Sequence, residues 1–358
     1  MGVTPVTRKG EAKETGVGSI TFGLFDHLDR RQVPLTQLYE ERLQFLAAAD
    51  TAGFYGYHLA EHHMTPLGMA PSPGIFLSAV AQRTTRLRFG PLVYLLPLYH
   101  PLRLIEEICM LDQLSGGRLD LGVGRGISPF ELGFFGVGIM ESRDMFEESL
   151  QVLVAGLGNE HLSHRGAYYR FRDVPMELRP VQQPYPPLWY GASTQQAAVW
   201  AAQHGMHVVG GGPNQVLREV MHAYGQTWEA HRQAAGRLNP QVDRPMLGAL
   251  RHVYVADTDE EAQAVARPAY HLWYNSLVKL WRDFRANPIA FTDDLDVARQ
   301  RQVAMVGSPD TVRAEVAQFV EESGCNYLVC SFAFGTLTHE QVLRSLDLFA
   351  TKVMPAFV

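Results

Sequence analysis

From Ser19 onward, short apolar runs of strand type alternate with segments whose apolar residues recur at helical spacing, and the alternation continues to the end of the chain. Eight runs read as strands: Ile20–Phe25, Tyr57–Ala60, Leu87–Leu95, Leu119–Val123, Leu188–Gly191, His207–Gly210, His252–Ala256 and Tyr327–Ser331. Between them Leu35, Tyr39, Leu43 and Leu46 fall on one helical stripe, as do Val312, Val316 and Phe319, and again Val342, Leu346 and Phe349. Ser308-Pro309-Asp310 marks a helix start, with a capping side chain just before a proline whose missing N–H costs nothing in the first turn. Eight strand–helix units predict a parallel α/β sheet, and the (β/α)8 TIM barrel closes with that number. Two stretches interrupt the alternation, His161–Pro187 and Thr258–Val306. Both are expected as insertions after strands, close to the barrel face where ligands bind. Residues 1–18 are polar and read as a flexible N-terminal tail; 19–358 read as one domain.

Composition narrows the classes. With 358 residues, 46% hydrophobic and 19% charged, the chain is too apolar for disorder and too irregular for a collagen rod or a coiled coil. A chain of this length buries roughly three quarters of its unfolded surface and needs neither disulfides nor metals to fold. The net charge of −6, without a long basic run, argues against nucleic acid or an anionic membrane as partner. No run of 18 apolar residues is present, so no spanning helix is expected. Cys109, Cys325 and Cys330 cannot build a disulfide framework, which fits a cytoplasmic protein.

Four segments carry candidate chemistry. His58-Leu-Ala-Glu61-His62-His63 formally matches the H-x-x-E-H pattern of some zinc peptidases, but that pattern needs a helix to bring its histidines to one face. Gly53 and Gly56 before it, and Pro66, Pro71 and Pro73 after it, leave no room for one. No metal site is therefore expected. The remaining readings are a general base or cofactor-site histidine at a strand end, or a structural role. Leu119-Asp-Leu-Gly122-Val-Gly124-Arg125-Gly126 is a strand running into a glycine turn, read either as close backbone approach to a ligand with Arg125 meeting an anion, or as an ordinary βα turn. Arg143, at a helix start, opposes the helix dipole and calls for an anionic partner, which Asp144, Glu147 or Glu148 could equally supply. Ser193 with Gln196 reads as a capping box, and the free amides and hydroxyls of Ser193 and Thr194 would also hold a phosphate.

Taken in order, these segments resemble the bacterial luciferase-like flavin-dependent monooxygenases, in particular the α-subunit type of bacterial luciferase. The resemblance runs from about Ser19 to Phe357. It is carried by Ala60-Glu-His-His63, Leu96-Pro-Leu-Tyr-His-Pro101, Leu111-Asp-Gln-Leu-Ser-Gly-Gly-Arg118, Gly122-Val-Gly-Arg-Gly126, Ser142-Arg143, Trp200-Ala-Ala-Gln-His-Gly205, Trp273-Tyr274, Val306-Gly-Ser-Pro309 and Val353-Met-Pro355. It implies a TIM barrel that takes reduced FMN as co-substrate and, with O2, forms a C4a-hydroperoxyflavin that oxygenates an apolar aldehyde, ketone or similar small molecule. A separate NAD(P)H:flavin reductase and a homodimer are implied with it.

By the same resemblance, His62 matches the catalytic histidine, with Glu61 and His63 in its run. Arg125 and Arg143 match the arginines around the FMN phosphate, and Ser193 and Thr194 fall in the phosphate turn. Glu131 stands where an acidic residue approaches the flavin, and Leu92-Val93 aligns with a non-prolyl cis peptide against the ring. Gly124 replaces a reactive cysteine of luciferase, and the stretch from Trp273 to Gly307 is shorter than the luciferase lid region, so oxygenation without useful light is expected. Two other readings accompany this one: a deazaflavin-dependent oxidoreductase of the same superfamily, and a non-catalytic flavin-binding protein. Tyr168, Tyr169, Trp273 and Tyr274 in the insertions suggest an apolar substrate.

Overall fold

The computed structural model describes residues 20–287 and 291–357, so the expected tail over residues 1–18 lies outside the described residues. Twelve strands run in chain order: β1 (Thr21–Asp26), β2 (Gly56–Leu59), β3 (Arg88–Pro91), β4 (Tyr94–Leu95), β5 (Leu121–Gly124), β6 (His161–Arg165), β7 (Arg170–Pro175), β8 (Leu188–Gly191), β9 (His207–Gly210), β10 (Leu247–Val255), β11 (Ala304–Gly307) and β12 (Tyr327–Ser331). The main sheet is parallel, in the order β3-β2-β1-β12-β10-β9-β8-β5-β4. Since β3 and β4 are the two halves of one strand, this order closes on itself into an eight-stranded barrel with helices outside.

Four details depart from the sequence reading. The third strand, expected as one run, is split at Leu92-Val93, where the peptide bond is cis as the resemblance implies. The seventh begins at Leu247, five residues upstream of the expected His252; Leu247–Ala249 pair with β9 and Gly248–His252 with β12. The part foreseen in the sequence instead pairs with the additional strand β11. Insertion His161–Pro187 does not follow a strand but the helix Ser142–Gly158, and it folds as the antiparallel β6–β7 hairpin. Glu148 of that helix accepts the amides of Ala167, Tyr168 and Tyr169 and fixes the hairpin tip against the outside of the barrel.

The first helix, Leu35–Ala52, buries Leu38, Arg42, Phe45, Leu46 and Ala49; of the expected Leu35-Tyr39-Leu43-Leu46 stripe, Leu46 is buried, Tyr39 and Leu43 are partly buried against the core, and Leu35 is exposed. Arg42 donates to Asp26 at the end of β1 (2.8 Å) and lies 3.8 Å from Asp29, so the buried face carries an ion pair beside Leu38, Phe45, Leu46 and Ala49. The stripes Val312-Val316-Phe319 and Val342-Leu346-Phe349 are buried as expected, and Ser308 caps the helix Pro309–Ser323.

The barrel axis is filled. Tyr327, Trp189 and His58 pack ring against ring, Trp189 lying 4.7 Å from His58 and 5.6 Å from Tyr327 between centroids, and Nε2 of His58 hydrogen-bonds the Tyr327 hydroxyl at 2.9 Å. A Cβ at Gly23 would stand 1.7 Å from that hydroxyl and one at Gly248 2.9 Å from the ring, so the two glycines make the room the tyrosine occupies. No helix among the described residues is long and apolar enough to cross a membrane.

Candidate active site

Above this filled axis, at the carboxyl ends of the strands, lies a cavity of about 430 Å³. Every inner strand but β12 delivers a residue to it, β10 from its middle at Leu250 and His252 and the others at or close to their ends, as TIM barrels do. Its walls differ in chemistry from one end to the other.

One end is built from histidines and aromatics. His62, just past β2, lines the cavity, and its Nδ1 lies 3.2 Å from Oε1 of Glu131. The second oxygen of Glu131 accepts the backbone N–H of His63 at 3.0 Å, so one carboxylate fixes both the ring and the chain that carries it. Glu131 is placed by the short helix Pro129–Phe134, which Ser128 caps. His63 itself does not line the cavity; its Nε2 lies 2.8 Å from Oε1 of Glu61, whose other oxygen accepts the Leu95 amide at 3.1 Å. Burial pushes the Glu61 carboxyl above its ordinary range, and His63 and the Leu95 amide oppose that shift. His58 points down into the barrel axis, Glu61 toward His63 and His62 toward Glu131, so the H-x-x-E-H residues diverge. Among the described residues, no group of three His, Cys, Asp or Glu side chains is disposed to hold a metal.

Two further residues of this end, His27 and His252, carried no site signal in the sequence, whereas Trp273 did. His27, just past β1, stacks on His62 with ring centroids 5.6 Å apart and planes 29° from parallel. Trp273 donates its indole N–H to Nδ1 of His27 at 3.3 Å. His252 packs edge-on against Trp273 at 4.1 Å, and burial pushes its imidazole down to about 3. Burial, followed by the charges of His62 and His252, pushes His27 well below the ordinary histidine value. Leu28 and Met64, which follow the two histidine segments, both hold left-handed backbone at φ 52° and 57°. That conformation costs a non-glycine residue about 1–2 kcal/mol. At Leu28 the amide is held by Asp26 at 2.6 Å, and Asp26 is held in turn by Arg42.

The opposite end is cationic and rich in glycine. Arg125, Ser193, Gly191 and Gly210–Gly212 line it, with Tyr190 between. Arg125 is half-buried and makes no ion pair among the described residues. Arg143 stands outside the lining, more than half exposed, and pairs with Glu147 at 3.1 Å. Burial pushes the Tyr190 phenol up, and the guanidiniums of Arg143 and Arg125 oppose it, which places both positive charges near that ring. The expected capping box at Ser193 is not formed. Thr194 caps the helix Gln195–Gln203 by accepting the Ala197 amide, and does not line the cavity, while Ser193 accepts the Gly211 amide at 3.0 Å and joins the ends of β8 and β9.

Leu92, Val93 and Gly124 form a wall between the two ends. Gly124 is required there, because a Cβ would fall 2.4 Å from Val93 Cγ2; Gly122 makes room for the Pro91 carbonyl, a close approach of neighbouring strands rather than of a ligand. Of the insertions, Trp273, Tyr270, Leu277, Phe291 and Val303 reach the cavity, whereas Tyr168, Tyr169 and Tyr274 do not.

Comparison with known proteins agrees with this arrangement. Residues 20–327 match the family model described as luciferase-like monooxygenase. The oxygenase component of a flavin-dependent trigonelline monooxygenase from Acinetobacter baylyi is 28% identical over 351 residues, spanning 94% of this chain and 95% of that protein. The crystal structure of the monooxygenase RslO1 from Streptomyces bottropensis superposes with a TM-score of 0.84 at 26% identity, over 95% of this chain and all of that one. The oxygenating constituent of 3,6-diketocamphane monooxygenase from Pseudomonas putida, a type II Baeyer–Villiger enzyme solved with FMN, gives a TM-score of 0.79 at 23% identity, over 95% and 99% of the two chains.

Proposed function

From the premise that the chain belongs to the luciferase-like monooxygenase family, we propose that it is the oxygenase component of a two-component system. It takes reduced FMN from a separate NAD(P)H:flavin reductase and oxygenates a small, mostly apolar aldehyde, ketone or related molecule with O2. The observation that carries this reading is one cavity with a cationic, donor-rich end and a histidine–carboxylate end, separated by a flat apolar wall.

The residues present fit such a cofactor. Arg125 has a free guanidinium at the cavity, Ser193 and the backbone of Gly210–Gly212 offer polar groups beside it, and the helix Gln195–Gln203 begins nearby, which suits a phosphate dianion. Arg143, outside the lining and paired with Glu147, adds its positive charge to that end from the rim. Leu92 and Val93 back the ring system, and Gly124 lets Val93 lie against the wall. When bound, reduced FMN supplies the activation of oxygen.

The chain does the rest. Glu131 holds His62 by Nδ1, leaving Nε2 to take and return a proton at the reacting centre. Glu61 and His63 position that loop through the Leu95 amide. Trp273, Tyr270, Leu277 and Phe291 keep water from the same end. A supply of NAD(P)H for the reductase implies a cytoplasmic setting, and the resemblance a homodimer, which sedimentation would check.

The test is a reconstitution with photoreduced FMN, 18O2 and a panel of aldehydes and ketones. Incorporation of one 18O atom into a product, with FMN but not with a deazaflavin, is the expected outcome. Hydride transfer from a reduced deazaflavin without oxygen uptake would replace the reading, and flavin binding without turnover on any panel member would reduce it to a binding protein.

A further inference from the structure

His27 belongs to neither the conspicuous histidine run nor the glycine turn, and its surroundings determine its protonation unusually well. A Trp indole N–H can only donate, so Nδ1 of His27, 3.3 Å from Nε1 of Trp273, must accept. A histidinium would set two N–H groups against each other. The ring is therefore neutral and carries its proton on Nε2. Burial agrees that the ring is neutral: the residue is 8% exposed, and its imidazole is pushed well below the ordinary histidine value.

Nε2 has no hydrogen-bond partner among the described residues. His27 lines the cavity, and its Nε2 is not among the polar atoms sealed from solvent without a partner, whereas Nε2 of His252 is. What surrounds the ring is apolar or aromatic: Phe25 at 4.9 Å between centroids, Trp273 at 5.9 Å, and beyond them Tyr270, Leu277 and Phe291. His62, the proton carrier, is stacked on it. The arrangement supplies a fixed, uncharged donor in an apolar chamber, aimed into the space beside the reacting centre.

We infer that His27 is the specificity-determining anchor of the substrate, donating from Nε2 to the oxygen of an uncharged carbonyl compound whose remaining body fills the aromatic chamber. This rests on the function proposed above and narrows it. A carbonyl oxygen accepts and cannot donate, so it satisfies Nε2–H. A carboxylate is disfavoured because the ring cannot become cationic without clashing with the indole N–H. A hydrocarbon leaves the donor unpaired, a loss that sites built around a hydrogen bond punish strongly.

The test uses the full chain with and without oxidised FMN, and pairs of ligands measured calorimetrically: norcamphor against norbornane, cyclohexanone against cyclohexane and acetophenone against ethylbenzene. At least one ketone is expected to bind about tenfold more tightly than its hydrocarbon partner. His27→Phe should remove that preference and leave the hydrocarbon unchanged, and His27→Gln, which keeps a donor, should restore part of it. Nitrogen-15 NMR of histidine-labelled protein provides a second readout independent of any ligand: His27 should carry its proton on Nε2 from pH 8 to pH 5, and Trp273→Phe should release that preference. The inference is overturned if no ketone outbinds its hydrocarbon in the wild-type chain, if His27→Phe weakens both members of a pair equally, or if the proton sits on Nδ1. A failure of FMN to bind would count against the proposed function alone, since both readouts are made without flavin as well.

Discussion

The two ends of the cavity are held in opposite ways. At the histidine end, partners lie within the protein: His62 on Glu131, His63 on Glu61, Glu61 on the Leu95 amide, His27 on Trp273. Two non-glycine residues hold left-handed backbone to keep these groups in place. At the glycine end Arg125 has no counter-charge among the described residues, Arg143 holds Glu147 loosely at the surface, and much of the lining is bare backbone. The contrast separates prepaid geometry from withheld charge. Where a proton must move, the chain orders its side chains in advance; where an anion is to bind, it leaves the compensation to the ligand.

The strongest way to break the comparison is at His62. His62→Asn should lower kcat by about a hundred- to ten-thousandfold, the usual worth of a positioned acid–base group, while FMN affinity stays the same. Stopped-flow turnover and flavin titration read the two effects separately. If FMN affinity fell in parallel, the two ends would not be separate.

Next comes Arg125. With Arg125→Ala, FMN should bind about ten- to a hundredfold more weakly and riboflavin should be unaffected, because only the phosphate is left without its partner. An equal loss for both flavins would mean that the arginine supports the fold instead. Arg143 is expected to matter less than its position in the sequence suggests.

A third test asks whether the histidine end is the acid-sensitive one. His252 is neutral in the fold, with its imidazole pushed down to about 3, but titrates near 6.5 when unfolded. A histidine lowered in this way contributes stability that is fully present above pH 6.5 and is lost as pH falls toward 3, because the unfolded chain takes up the proton first. His252→Phe should therefore flatten the loss of stability between pH 6 and 4 by about 1.4 kcal/mol per pH unit. Urea unfolding at half-unit pH steps would show it, and an unchanged slope would mean that His252 is already charged in the fold.

The smallest effect is expected from Arg143→Ala, about twofold to fivefold in FMN affinity, since an exposed guanidinium already paired with Glu147 gains little from changing partners. A loss as large as that of Arg125→Ala would show that Arg143 moves into the cavity when FMN binds.

Much of this could be read before the fold was known. Leu188–Gly191, His207–Gly210 and Tyr327–Ser331 are strands at their foreseen bounds because buried parallel strands are short apolar runs. The seventh strand was half hidden: Gly248, Ala249 and Arg251 disguise its barrel portion, glycine because Tyr327 needs the space and arginine because it is buried against Asn214. On the helix Leu35–Ala52 periodicity finds Leu46 and the half-buried Tyr39 and Leu43 but misses Leu38, Phe45 and Ala49, and it gives no hint that Arg42 is buried with Asp26. In the site, Glu61, His62, Arg125 and Ser193 stood out through dense or glycine-flanked runs. His27 and His252 did not, because a barrel draws one or two residues from each strand end, and side chains 225 positions apart in sequence share no local pattern.

The filled axis gives the cavity a floor. Among the described residues Tyr327, Trp189 and His58 close the interior beneath Leu92 and Val209, so the barrel axis is blocked and traffic runs over the rim above the strands. Guests that share such a dead-end chamber queue: whichever settles deeper has to arrive earlier and depart later. The sequence of events in a catalytic cycle is thus partly written by two glycines, Gly23 and Gly248, whose missing side chains let a tyrosine serve as the stopper.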